Sequence, residues 1–268
     1  GFCVDPTPKS VYVDVSEGDR EYTVAAINYE KPDMKITKRD AMSGKPIAGT
    51  VLSVKSVTSS YSTSVTTGAD GSATLSAIPA GVYVVREESV PEPYIVSNTE
   101  QTVALRPGKT SEVIFVDYEK PGLEILKKNI ATGEPIEGVT YLIEQIDGSY
   151  STSATTDSVG RIFLDSIPVG SYRITEKNVP SHVILSEIPQ EVYLEAGCTR
   201  TVTFFNAVKP SLTILKRNSI TGDYLANAKF HIYYGSDNTT TGEINDLGMF
   251  TTASDGKITL TDVNRGWY

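Results

Sequence analysis

The sequence predicts an all-β protein in which immunoglobulin-like β-sandwiches follow one another in tandem, and three observations support this. First, the chain of 268 residues repeats itself at a fixed step. Second, each copy consists of short alternating runs rich in Val, Ile, Thr and Tyr, and no run keeps a helical period. Third, turn residues such as Asp70-Gly71 and Ser43-Gly44 stand between these runs and supply the backbone conformations that hairpins need.

The internal repeat has a strict step of 89 residues. Lys38 recurs as Lys127 and again as Lys216, each in a similar apolar run, and both intervals are 89 residues (127 − 38 and 216 − 127). The segment Ser60–Ser64 returns as Ser149–Ser153 at the same step. One small β-sandwich has about this length, so each copy is predicted to be a domain.

The repeat divides the chain into two complete domains and two outer pieces. Residues 31–119 and 120–208 form the complete domains, whereas 1–30 match only the last strands of a repeat and 209–268 only its first part. The third copy runs seven residues late, and we expect the extra length in a hairpin loop within the polar stretch 235–248. Because the linkers are very short, we expect the domains to stack as a rigid, elongated array.

Composition excludes several classes of function. The chain has 33 Asp and Glu against 24 Lys and Arg, a net charge of −9, which disfavours nucleic acid and anionic membranes as partners. No apolar run is long enough to span a membrane. The two histidines, His182 and His231, have no recurring Cys or carboxylate neighbours, so neither a metal site nor a cofactor is predicted. Cys3 and Cys198 are interpreted as incidental thiols, with a disulfide between them as the less favoured alternative.

Polar residues continue the predicted core-facing rows of three strands. Alternate residues of a strand face the same way, so Lys38 lies on the face of Met34 and Ile36. By the same alternation, an acid on a later strand of each complete copy is predicted to face the core. A carboxylate or carboxamide on the last strand is predicted to face the core as well. The inward polar residues are Lys38, Lys127 and Lys216 on first strands, Glu87 and Glu176 on later strands, and Asn28, Asp117 and Asn206 on last strands.

Such groups are costly to bury singly, and covalent chemistry between them offers one way to remove the cost. In a low-dielectric core the pKa of an amine falls and that of a carboxylic acid rises. A neutral lysine can then attack a side-chain carbonyl while the acid polarises that carbonyl and transfers the proton. The product is a neutral amide between two side chains.

Simpler interpretations exist for the same residues. A single lysine at a strand end is usually a surface residue whose charged head reaches water. Glu87 and Glu176 can equally be exposed edge-strand charges or salt-bridge partners of the lysines. The recurrence of lysine, acid and acceptor in both complete copies favours the reactive interpretation.

A family resemblance rests on four motifs of the first complete copy. They are Ile-Thr-Lys-x-Asp at 36–40, Ser-Gly-Lys-Pro-Ile-x-Gly at 43–49, Pro-x-Gly-x-Tyr-x-Val-x-Glu at 79–87 and Phe-x-Asp at 115–117. This order resembles the prealbumin-like collagen-adhesin B-type and SpaA-type repeats of Gram-positive surface proteins and pilins. The resemblance covers essentially the whole chain.

The resemblance implies an isopeptide bond in each complete repeat. In that family a first-strand lysine is joined to an Asn or Asp of the last strand, with an intervening acid as catalyst. Carried onto this sequence, the bonds are Lys38–Asp117 with Glu87 as catalyst and Lys127–Asn206 with Glu176 as catalyst. Asp117 stands where Asn is commoner, so water rather than ammonia would leave there.

The predicted function is a structural stalk or fibre segment of a secreted bacterial cell-surface protein, with neighbouring repeats as its partners. The alternative is an adhesive module whose loops bind a host or partner-cell ligand. A turnover enzyme is not predicted, since each isopeptide centre would act once on itself. Asn28 and Lys216 lie in incomplete outer repeats, which either belong to a longer array or complete each other between molecules.

Overall fold

The computed structural model describes residues 1–3, 7–13, 16, 18, 21–236 and 244–268. In these residues the regular structure is β-strand throughout, without an α-helix, as the sequence predicts. No helix in the described part of the chain is long and apolar enough to cross a membrane. Two compact units are present, Gly1–Pro121 with Glu195–Cys198, and Gly122–Leu194 with Thr199–Tyr268.

The start of the chain forms a short antiparallel pair, β1 (Phe2–Cys3) with β2 (Tyr29–Glu30). Residues 21–28 adopt no strand. The assignment of residues 1–30 to the end of a preceding repeat therefore stays a prediction. Cys3 and Cys198 are both free thiols and half-buried.

The first complete repeat is a sandwich of two sheets. One sheet has the order β6-β3-β9 and the other β5-β4-β7-β8. The first strand, β3, pairs in parallel with the last, β9, and all the other pairs are antiparallel. The strands are β3 (Asp33–Asp40), β4 (Val51–Ser56), β5 (Ser62–Thr66), β6 (Ser72–Leu75), β7 (Gly81–Ser89), β8 (Gln101–Leu105) and β9 (Thr110–Asp117).

The core between the two sheets follows the alternation seen in the sequence. On each core strand the apolar side chains at alternate positions are buried, and the residues between them are more exposed, which is what a half-solvated sheet requires. The buried apolar residues of this core include Met34, Ile36, Leu52, Val54, Tyr83, Val85, Val113 and Phe115.

The second complete repeat has the same architecture, and each of its seven strands begins 89 residues after its counterpart. Its sheets have the orders β13-β10-β16 and β12-β11-β14-β15, again with the first and last strands in parallel. The strands are β10 (Gly122–Asn129), β11 (Thr140–Gln145), β12 (Ser151–Thr155), β13 (Arg161–Leu164), β14 (Gly170–Asn178), β15 (Gln190–Leu194) and β16 (Thr199–Asn206).

The last part of the chain contains four strands of the same pattern. β17 pairs with β20 and β18 with β19, both antiparallel. The predicted hairpin over 235–248 is the one that joins β18 to β19, and its residues 237–243 lie outside the described residues. The strands are β17 (Leu212–Leu215), β18 (Lys229–Gly235), β19 (Ile244–Thr251) and β20 (Lys257–Leu260).

Candidate functional site: two buried lysine centres

In the first repeat, three polar side chains from three strands meet inside the sandwich. Lys38 comes from β3, Asp117 from the neighbouring β9, and Glu87 from β7 of the opposite sheet. Lys38 Nζ lies 2.6 Å from Glu87 Oε1 and 2.5 Å from Asp117 Oδ1, and the exposed fraction of all three side chains is 0%. The inward parity expected of these residues therefore brings them into direct contact.

The polar atoms of this centre are close together but poorly satisfied. Within the described residues, no hydrogen bond of acceptable geometry reaches Lys38 Nζ, Glu87 Oε1 or either carboxylate oxygen of Asp117. Only Glu87 Oε2 is satisfied, because it accepts a hydrogen bond of 2.7 Å from the backbone N–H of Ser97. Buried polar atoms left in this state are energetically expensive.

The charge balance of the first centre favours a proton on a carboxyl group. Burial raises the pKa of Asp117 to about 6, an effect that Lys38 opposes and that the nearby Glu87 reinforces. Two carboxyl groups thus face one amine in a space closed to solvent. A carboxylic acid in contact with an amine is the pair that amide condensation needs.

The second repeat builds the corresponding centre from Lys127, Glu176 and Asn206. Lys127 Nζ donates to Glu176 Oε2 at 2.7 Å, and Asn206 Nδ2 donates to Glu176 Oε1 at 2.6 Å. The side chains of Lys127 and Glu176 are fully buried. Burial lowers the pKa of Lys127, although the attraction of Glu176 opposes this effect. The lowered pKa favours the neutral, nucleophilic amine. Asn206 Oδ1 accepts no hydrogen bond from the described residues.

A fourth residue of the second centre, Tyr141, was missed by the sequence reasoning. Its hydroxyl donates to Glu176 Oε2 at 3.1 Å, and its ring packs on Phe204 with the ring centroids 4.8 Å apart. Burial and the Glu176 charge raise the pKa of Tyr141, so it remains a neutral donor. Leu52 occupies the equivalent position 89 residues earlier. This change from Leu to Tyr within an otherwise regular repeat is the sequence feature that could have identified it.

A register shift in the strand pairing lies directly beside each acid. Glu87 stands opposite Leu52 in the regular register of β4 and β7, which shifts just beyond this pair, between Leu52 and Val51. Glu176 stands opposite Tyr141 in the same way, and the register of β11 and β14 shifts between Tyr141 and Thr140. Such bulges recur next to functional sites. The following loop returns in both repeats to hydrogen-bond the acid.

A tight turn supports each lysine from behind. The backbone N–H of Lys38 donates to the carbonyl of Gly71 at 2.7 Å, and Lys127 donates to Gly160 in the same way. Gly71 has a φ of +72°, and a Cβ there would lie 2.5 Å from the Lys38 carbonyl oxygen. The turn therefore requires glycine at this position.

The two outer positions do not form buried centres. Asn28 and Lys216 are both exposed, Asn28 just before β2 and Lys216 just after β17. Asn28 has no core face in this structure, because residues 21–28 form no strand. Lys216 also faces solvent, and the described residues of 209–268 bring neither an acid nor an acceptor to it. A role for either residue in an outer centre therefore stays a prediction. No group of three or more His, Cys, Asp or Glu side chains that could hold a metal ion occurs in the described parts of the chain.

The fold and the repeated centre define a protein of tandem prealbumin-like sandwiches. Comparison with family models agrees with this, since the SpaA model, described as a prealbumin-like fold domain, matches residues 32–119, 121–208 and 210–268. The chain belongs to this family. The matching model describes a fold and not a reaction. No curated protein sequence matches the chain.

Solved structures with some similarity include pilins. The Bacillus anthracis TIE protein is 21% identical over 87% of this chain and 44% of its own, with a TM-score of 0.40. GBS52, the minor pilin of Streptococcus agalactiae, is 17% identical over 70% of this chain and 100% of its own, with a TM-score of 0.37. The shaft pilin SpaA of Lactobacillus rhamnosus GG is 16% identical over 66% and 98%, with a TM-score of 0.41. This chain thus spans less than half of the TIE protein chain.

Proposed function

We propose that this chain is a structural segment of a stalk or fibre on the bacterial surface, and that each complete repeat cross-links itself. The bonds join Lys38 to Asp117 and Lys127 to Asn206. The observation that carries the proposal is the contact, in a fully buried space, between Lys38 and both the Asp117 carboxylate and Glu87. The second repeat supports it with the same three positions. The centres act on themselves once, so the chain is not a turnover enzyme.

Burial supplies the reason for the reaction. Charged groups removed from water must be paired very well or be neutralised, and Lys38 Nζ, Glu87 Oε1 and both Asp117 oxygens form no hydrogen bond of acceptable geometry. An amide between the lysine and its acceptor replaces an ammonium and a carboxylate by one neutral group. The lowered pKa of Lys127 acts in the same direction in the second repeat, because it favours the free amine that attacks.

In the second repeat the reaction releases ammonia. Glu176 Oε2 takes a proton from the Lys127 ammonium, and the neutral Nζ attacks the side-chain carbonyl carbon of Asn206. The Nζ–Cγ bond forms, and a second Nζ proton passes through Glu176 to Nδ2 as the Cγ–Nδ2 bond breaks. Ammonia leaves with the first proton as ammonium, which restores the Glu176 carboxylate. The positions of Lys127 and Asn206 on opposite oxygens of Glu176 suit this transfer.

In the first repeat the same sequence releases water. Lys38 gives up two protons in all, and both end on the departing Asp117 oxygen as the Cγ–Oδ bond breaks. Glu87 carries them, being 2.6 Å from Nζ. The raised pKa of Asp117 helps, because the first of the two Lys38 protons can then reside on the Asp117 carboxyl before the attack, and a protonated carboxyl is the better electrophile.

The location of the bonds suits a load-bearing role. β3 and β9 are the first and last strands of the repeat and lie side by side in parallel, so an amide between them ties together the strands through which tension would enter and leave. By analogy with disulfides, closing a loop of roughly 80 residues stabilises the domain by about 4 kcal/mol. The proposed location, outside the cell in a wall-attached or fibre-forming protein, follows the family resemblance.

Intact mass spectrometry tests the proposal directly. The purified chain is expected to weigh less than its sequence by one water and one ammonia, and peptide mapping is expected to recover β3 joined to β9 and β10 joined to β16. The Lys127→Arg variant is the control, because arginine does not condense and this variant should lose water alone. A mass equal to that of the unmodified sequence would contradict the proposal.

A further inference from the structure

The carboxylate of Glu176 is surrounded by four hydrogen-bond donors. Oε2 accepts from Lys127 Nζ at 2.7 Å and from the Tyr141 hydroxyl at 3.1 Å. Oε1 accepts from Asn206 Nδ2 at 2.6 Å and from the backbone N–H of Ser186 at 3.0 Å. A carboxylate offers about four acceptor positions, so this one is saturated. Consequently Oε2 faces the Lys127 amine and Oε1 faces the Asn206 carboxamide.

The first repeat has no counterpart of the tyrosine donor. Leu52 occupies that position, and Glu87 accepts one backbone hydrogen bond while its other oxygen faces Lys38. Its acceptor, however, is Asp117, a carboxyl group that can itself carry a proton and share it with Glu87. Asn206 carries no ionisable proton. The second repeat, whose acceptor Asn206 cannot supply an acidic proton, has the Tyr141 hydroxyl. The first repeat, whose acceptor Asp117 can supply one, has Leu52 instead.

We propose that Tyr141 is a positioning residue for bond formation in the second repeat, where its hydroxyl holds Glu176 Oε2 against Lys127 and leaves Oε1 for Asn206. This inference rests on the proposed function of the site. Residues 52 and 141 are equivalent positions of the two repeats, and the proposal explains why they differ. Leucine stands in the repeat whose acceptor is Asp117, and tyrosine stands in the repeat whose acceptor is Asn206. Tyr141 contacts the acid and not the reacting carbonyl, so it acts through Glu176.

The variant that isolates this role is Tyr141→Phe, which keeps the ring on Phe204 and removes only the hydroxyl. Tyr172→Phe is the matched control, because Tyr172 is another buried tyrosine of the same repeat and its hydroxyl donates to the Pro168 carbonyl at 2.8 Å, away from the centre. Thermal unfolding of both variants measures any general loss of stability. The first repeat of the same full-length molecules provides an internal standard.

The experiment follows the appearance of the peptide joining Lys127 to Asn206 after timed cell-free synthesis of the full chain. Tyr141→Phe is expected to slow it about tenfold, the effect of losing one hydrogen bond to a charged group. The melting temperature is expected to fall by no more than it does in Tyr172→Phe, because each variant removes one buried tyrosine hydroxyl from the same repeat. A general structural defect would lower the melting temperature together with the rate.

The outcomes separate the two proposals. An unchanged rate of bond formation in Tyr141→Phe would overturn the role of the tyrosine while the wild-type bond still supports the cross-link. Equal slowing in Tyr172→Phe would also overturn it, since packing would then be the cause. If the wild-type chain never yields the joined peptide, the proposed function fails, and the inference about Tyr141 fails with it.

Discussion

We expect the Glu176→Ala variant to leave Lys127 and Asn206 unlinked and to lose much of the stability of the second repeat. Without the acid nothing takes the proton from Lys127 or returns it to the leaving group. The loop-closing contribution of the bond, about 4 kcal/mol, is lost. The fully buried Lys127 also loses its counter-ion, which by itself costs about 3–5 kcal/mol. For a domain of this size, even the first term corresponds to a melting temperature lower by roughly 20 °C.

Intact mass and calorimetry measure this expectation together. The control is Glu191→Ala, on β15 of the same repeat, because the Glu191 side chain is 56% exposed and pairs only with the exposed Arg173. Exposed pairs of this kind contribute about 1 kcal/mol or less, so this variant should keep both the bond and its melting temperature. Full loss of ammonia in Glu176→Ala would show that the assigned catalytic role is wrong.

The second large effect is expected from Lys38→Met, which removes the amine and leaves Glu87 and Asp117 buried together. Burial already raises the pKa of Asp117 to about 6, and Lys38 works against that rise, so its removal moves the pKa higher still. The folded state then holds a proton that the unfolded state releases near its usual pKa of about 4. Stability is greatest below that value and falls as the pH rises through about 6 and beyond, by on the order of 3 kcal/mol.

Urea unfolding followed by brief proteolysis, at about pH 5 and about pH 8, measures this loss in the first repeat of the full chain. The wild-type repeat should show no such dependence, because its Asp117 carboxyl has been consumed in the amide. Lys35→Met is the matched control: it lies on the same strand with its side chain 47% exposed, paired with Glu112 at 3.3 Å. If Lys38→Met were equally stable at both pH values, ionisation of the buried carboxyl pair would not destabilise the first repeat, and the prediction would be wrong.

The strand faces were predictable because a strand has a period of two and both sheets are solvated on one side only. Met34 and Ile36 define the buried face of β3, and Lys38 continues it by simple parity. The same argument holds for Glu87 after Tyr83 and Val85 on β7. Repetition at 89 residues then confirmed each assignment in a second, independent copy, and every strand of that copy begins where the step requires.

Parity alone was insufficient where a strand had no partner. Asn28 follows an alternating stretch that resembles a last strand, but a strand forms only when a neighbour satisfies its backbone N–H and C=O groups. Residues 21–28 take no strand conformation and pair with no strand among the described residues, and Asn28 is exposed. Lys216 is also exposed, just after β17, which pairs with β20.

Tyr141 marks the other limit of sequence reasoning. Its hydroxyl reaches Glu176 because β11 and β14 are neighbouring strands of one sheet, and the sequence analysis assigned no pairing between them. The register that sets Glu176 opposite Tyr141 is a feature of the paired strands and leaves no mark in the alternation of one strand.

By itself the sequence determined the repeat, the all-β architecture, the family pattern and the residue types of the two centres, because these depend on local periodicity and on recurrence at a fixed step. The tertiary structure alone decided that Lys38 Nζ lies within 2.6 Å of both Glu87 and Asp117. It also decided that Glu176 is the centre of one hydrogen-bonded cluster with Lys127, Asn206 and Tyr141. These contacts join residues tens of positions apart, some on neighbouring strands of one sheet and some on facing sheets. Their distances depend on how strands pair and how two sheets twist and pack, which no single strand encodes.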